Sequence, residues 1–87
     1  MPEISRFLGI VIMMFAPDHN PPHVHVRYGD YEVLINLTDG EVKGSMPKHI
    51  LKTVFRWMEM HEDELMENWN LLRERKEPKK IEPLKQP

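Results

Sequence analysis

At 87 residues with no cysteine, the chain has room for one small domain and no means to staple it with disulfides or to bind metal through thiolates. A formal net charge of −2 excludes a uniformly basic nucleic-acid binder. The longest apolar run, Phe7 to Ala16, falls short of the roughly 20 residues that cross a bilayer, and the start Met1 to Arg6 lacks the basic and small-residue signals of a secretory leader. A cytoplasmic protein with no membrane partner is therefore expected.

Charge is unevenly spread. Residues 57–67 carry Glu59, Glu62, Asp63, Glu64 and Glu67 with no Lys or Arg, whereas residues 73–87 carry Arg73, Arg75, Lys76, Lys79, Lys80 and Lys85. The basic end is read as a solvated tail. Residues 7–15 are apolar at almost every position, as in a strand covered on both faces or one whose outer face meets a partner. Gly9 inside the run hints at a bulge or a close backbone approach. Pro17, Asn20, Pro21 and Pro22 mark a loop from Ala16 to Pro22.

His23 to Tyr28 alternates, with Val24, Val26 and Tyr28 on one face and His23, His25 and Arg27 on the other. Gly29-Asp30 is a two-residue hairpin signal with glycine first, as a type II′ turn prefers. It places Tyr28 opposite Tyr31, Val26 opposite Val33 and Val24 opposite Ile35, so both apolar faces coincide. The same register sets Arg27 opposite Glu32, His25 opposite Leu34 and His23 opposite Asn36. Asp39-Gly40 is a second turn signal, returning Glu41 to Gly44 as a short strand with Val42 opposite Leu37. Ser45 reads as a helix N-cap ahead of Pro47.

From Pro47 to about Arg75 the period becomes helical. Leu51, Val54, Met58, His61, Leu65, Asn68 and Leu72 form the stripe. This predicts one long amphipathic helix, kinked near His61 or broken near residues 61–62. Lys48, Lys52 and Arg56 put like charges together in its N-terminal half, against the macrodipole. Residues 1–76 are thus expected to form a single α+β domain, a three- or four-stranded antiparallel meander followed by that helix. Residues 77–87 are expected as a Pro/Lys-rich extended or disordered tail. Docking of Ile81 and Leu84 as a clip is the alternative.

Asp18-His19-Asn20-Pro21-Pro22-His23-Val24-His25 concentrates three of the five histidines. If the helix covers the valine face, His23, His25 and Arg27 stand on the open face with His19 above them. Three readings follow. His23 and His25, roughly 7 Å apart along the strand, share a divalent metal such as zinc or nickel, with His19 or Asp18 closing the site. Alternatively the histidines cleave RNA without metal, one taking a proton from a 2′-hydroxyl and another protonating the leaving oxygen, while Arg27 stabilises the charge. Arg27 pairing with Glu32 is the plain counter-reading. In the third, the face is an interface for a partner or for self-association into a homo-oligomer, with Met13, Met14, Phe15 and Leu34 supplying apolar contact. His49 reads as exposed and His61 as a satisfied, half-buried histidine.

The run His19-x-Pro21-Pro22-His23-x-His25-Val26 resembles a small bacterial family catalogued as domain of unknown function 4160. Pro2-x-Ile4-Ser5-Arg6-Phe7, Gly9-Ile10, Tyr28-Gly29, Glu32, Gly40 and Glu67-Asn68-Trp69 share the resemblance, which covers nearly the whole chain. Met13, Met14, Phe15 and Ala16 depart from the polar or aromatic stretch that relatives often carry there. The resemblance implies a small cognate protein partner encoded alongside and an association with toxin–antitoxin modules. It transfers no catalytic residues. The expectation is a component of a toxin–antitoxin-like two-gene system acting through the His19/His23/His25 face, as an RNA-cleaving toxin or as a non-enzymatic partner- or metal-binding module.

Overall fold

The Gly29-Asp30 turn and the alternation on either side of it organise the sheet. In the computed structural model, which describes residues 3–15 and 19–85, strands β3 (His23–Tyr28) and β4 (Tyr31–Asn36) pair from Tyr28 opposite Tyr31 to His23 opposite Asn36. Gly29 takes φ +59°, the positive value that the first position of a type II′ turn needs. Val24, Val26, Val33 and Ile35 are at most 1% exposed and form the centre of the core. This register agrees residue for residue with the one expected from the sequence.

The sheet has five strands rather than three or four, because a turn near the start of the apolar run over residues 7–15 pairs that run with the segment before it. β1 (Glu3–Phe7) and β2 (Ile10–Met13) are joined by Leu8-Gly9, with Phe7 opposite Ile10. Both turn residues have positive φ, +53° and +78°, as a type I′ turn demands. Gly9 therefore marks a turn, not a bulge, and a leucine beside it concealed the signal. β2 pairs with β3, and β5 (Val42–Ser45) with β4, giving an antiparallel meander in the order β1-β2-β3-β4-β5. β5 lies two residues from its expected register, with Val42 opposite Ile35. The cause is Asn36, whose side-chain oxygen accepts from the amides of Thr38 and Asp39 and widens the connection. Ser45 ends β5 and does not cap the helix; Pro47 is the residue at the cap.

The helical region forms two helices, the broken alternative rather than one continuous rod. α1 (Lys48–Met60) and α2 (Glu62–Arg73) meet at His61, whose backbone (φ −131°, ψ 29°) leaves the helical region. The break gives α2 its own N-terminus, where Glu62, Asp63 and Glu64 suit the macrodipole. Ile50, Val54, Trp57 and Met58 from α1, and Leu65, Trp69 and Leu72 from α2, close over the valine face. Among the described residues, no helix is long and apolar enough to cross a membrane.

Residues after Arg75 carry no regular secondary structure, as their prolines require, yet as far as Leu84 they are docked rather than loose. Ile81 is 3% exposed, and its amide donates to the carbonyl of Ile4 on the outer edge of β1. The Asn68 side chain holds both the amide and the carbonyl of Lys79 at 2.8 Å, and the Trp57 indole donates to the carbonyl of Glu82. A buried amide answering a backbone pair makes the apolar clip more favourable than a solvated tail. At the same edge, the Arg6 guanidinium hydrogen-bonds the Glu3 carboxylate and holds that carboxyl below its ordinary range.

Replacing Asn68 by Ala removes two buried hydrogen bonds at about 1 kcal/mol each. Urea unfolding of this variant is expected to show a loss of about 2 kcal/mol at unchanged slope, with faster exchange of the Ile81 amide. An unshifted midpoint would mean that the clip contributes nothing to the fold.

Candidate functional site

The strand that buries Val24 and Val26 necessarily turns His23 and His25 to the other face of the sheet. Their ring centroids are 5.3 Å apart, with the planes tilted by 59°. Directly across from His25 lie Met13 on β2 and Leu34 on β4, and across from His23 lies Asn36. The histidines are half-buried rather than standing on a fully open face. Phe15 meets His25 at 4.5 Å in an edge-on arrangement, and Trp69 of α2 comes round the strand end to within 5.2 Å of His23. Phe15, His25, His23 and Trp69 thus form a file of rings running from the surface into the core.

The proline loop fixes one end of this file. The Pro22 carbonyl accepts from the amide of Leu37, which ties the loop to the end of β4. One residue earlier, the Pro21 carbonyl lies 2.8 Å from His23 Nδ1. A carbonyl only accepts, so Nδ1 is the protonated nitrogen and the neutral ring carries its lone pair on Nε2.

An open cleft of about 300 Å³ lies on these residues. His19, Asn20 and Pro21 form its loop side, His23 and His25 its floor, Leu34 and Asn36 the β4 side, and Glu41 and Lys43 the far wall. The three predicted histidines therefore line one concavity, His19 as its exposed member. Arg27 does not line it; its guanidinium is 3.4 Å from the Glu32 carboxylate in an exposed cross-strand pair. The cation of the cleft is Lys43, opposite Leu34 on β5. The sequence set Asn36 opposite His23 but gave a role neither to it nor to Lys43, which the second turn signal already puts on the histidine face.

Asp18, proposed as a metal ligand, lies outside the described residues. Among the described residues, no group of three His, Asp or Glu side chains could hold a metal ion. His61 is satisfied by Glu64 through Nδ1 and packs against Trp57 at 5.2 Å, and His49 is exposed, both as the sequence suggests.

A family model described as a domain of unknown function (DUF4160) matches residues 9–70, a span that includes the loop, the histidine strand, β4, β5, α1 and most of α2. No curated protein and no solved structure matches the chain.

The hydrogen bond to Pro21 predicts that neutral His23 is the Nδ1–H tautomer. Long-range nitrogen–proton NMR correlations of the imidazole read this directly. A ring found protonated at Nε2 instead would show that the Pro21 contact does not orient it.

Proposed function

The chain belongs to the DUF4160 family, a grouping defined without an activity, and on that premise we propose that it is the RNA-cleaving component of a toxin–antitoxin-like two-protein system. The observation that carries this reading is the pair of imidazoles 5.3 Å apart in the cleft that Lys43 also lines. Phosphodiester cleavage at a ribose needs little more: a base for the 2′-hydroxyl, an acid for the leaving oxygen, and a cation for the charge that develops between them.

In this mechanism His23 Nε2 takes the 2′-hydroxyl proton, and its Nδ1–H stays anchored to Pro21 so that the ring keeps its orientation. The 2′-oxygen attacks the adjacent phosphorus. The bond to the 5′-oxygen breaks as protonated His25 donates its proton to that oxygen, leaving a 2′,3′-cyclic phosphate and a free 5′-hydroxyl. Lys43 stabilises the phosphorane oxygens, the part assigned from sequence to Arg27, because Lys43 lines the cleft whereas Arg27 faces Glu32. His19, at the loop side of the cleft, contacts the bound strand. The cognate partner would inhibit by covering this concavity.

A second reading has one observation of its own. Phe15 is 38% exposed beside His25, and that exposed ring suits a binding module that grips a partner without turnover. The metal version of that module needs Asp18 or His19 to join His23 and His25 around zinc or nickel.

Incubation with a short single-stranded RNA separates turnover from binding. The wild type is expected to release fragments ending in a 2′,3′-cyclic phosphate. His23→Ala and His25→Ala should each slow release by about 10²–10⁴-fold, the usual contribution of one general acid or base. Induced expression should arrest growth, and the double substitution should relieve the arrest. Fragmentation that is absent in the wild type, or that survives the double substitution, leaves the binding module.

A further inference from the structure

One aromatic side chain at the cleft is not used by the acid–base pair. Phe15 is 38% exposed, and its ring stands at 87° to that of His25, with centroids 4.5 Å apart. An edge-on contact of this kind fixes the ring's orientation while leaving ring surface to solvent. The other large exposed apolar residues, Leu8, Tyr31, Met60 and Met66, belong to the β1–β2 turn, to the first position of β4 and to the two helices.

We propose that Phe15 is a stacking platform for one nucleobase of a single-stranded RNA whose neighbouring phosphate lies over His23, His25 and Lys43. The proposal rests on the cleft being the RNA site, and it assigns a base-binding position next to it. Three features favour a base over a protein partner. A stable protein interface needs about 800 Å² from each side, whereas a base needs one ring face, which is what Phe15 offers. Cleft volumes near 300 Å³ are at the small end for ligand sites, suited to a single nucleotide unit rather than a helix or strand. The ring touches His25, and the cleft that His25 lines also holds His19, His23 and the Lys43 ammonium, groups that meet a phosphate, with the Glu41 carboxylate on its far wall. Stacking also tolerates any base, so the platform predicts weak sequence preference.

The test uses an oligonucleotide with 2′-O-methyl riboses, which cannot be cleaved, and compares binding by the full chain with its Phe15→Leu and Phe15→Trp variants. Both variants change an exposed ring, and circular dichroism checks that they fold. Phe15→Leu is expected to weaken binding by about 5- to 150-fold, the range for loss of one stacked base, while Phe15→Trp retains it. Removing a single base from the oligonucleotide should weaken the wild type but cost Phe15→Leu nothing further. Binding unchanged in Phe15→Leu, an equal penalty for the missing base in both proteins, or no binding by the wild type overturns the proposal. Failure of the catalytic reading looks different: Phe15-dependent binding of the methylated strand with no cleavage of the unmodified one. Conversely, wild-type cleavage with KM untouched by Phe15→Leu removes the platform and leaves the acid–base pair standing.

Discussion

The two-residue period of β3 is the constraint on which the molecule turns. A strand must send alternate side chains to opposite faces, so burying Val24 and Val26 turns His23 and His25 outward with no further instruction. The Gly29-Asp30 turn then locks the register, and Val33 and Ile35 join the buried face while Leu34 and Asn36 join the histidines. A slip of β3 by one residue would bury two imidazoles and expose Val24 and Val26. Stability and site geometry are therefore consequences of one pairing, which explains how so small a core can position a cleft.

The remaining elements support that pairing from both sides. α1 and α2 close the apolar face, and the clip through Lys79 to Glu82 fastens the helices to the β1 edge by way of Asn68, Trp57 and Ile4. The break at His61 also accounts for part of the charge pattern. The acidic run begins α2, where it meets a positive helix end, whereas α1 has no acidic residue in its first turn and keeps Lys48, Lys52 and Arg56 exposed. Among the described residues, no ion pair holds Lys48, Lys52 or Arg56. On the histidine face, Trp69 links the core to the cleft by packing against His23, so the position of α2 and the orientation of the imidazole pair depend on each other.

What could be read from the sequence followed the strength of the local signals. Strict alternation plus a glycine-first turn specified the β3–β4 register completely, and with it the shared face of His23 and His25. The β1–β2 hairpin was hidden because its turn is Leu8-Gly9, inside a run with no polar interruption, and Leu8 adopts a backbone conformation that leucine rarely takes. The β5 register escaped because a side-chain hydrogen bond from Asn36, not a turn dipeptide, sets the loop. Docking of the tail depends on Asn68 and Trp57 meeting a segment about a dozen and about 25 residues away in sequence, which no periodicity announces. The same holds for the Phe15–His25 and His23–Trp69 contacts. These are products of tertiary placement, and hydrophobic pattern carries no record of them.

The central claim is that the face opposite the core, and not the basic helix or the tail, receives a ribonucleotide. Titrating isotope-labelled protein with a short 2′-deoxy oligonucleotide, which binds without reacting, and following backbone and imidazole NMR signals tests this most directly. The account predicts saturable shifts at His23, His25, Leu34 and Lys43, with α1 unaffected. Shifts confined to Lys48, Lys52 and Arg56, or to residues beyond Arg73, would contradict it.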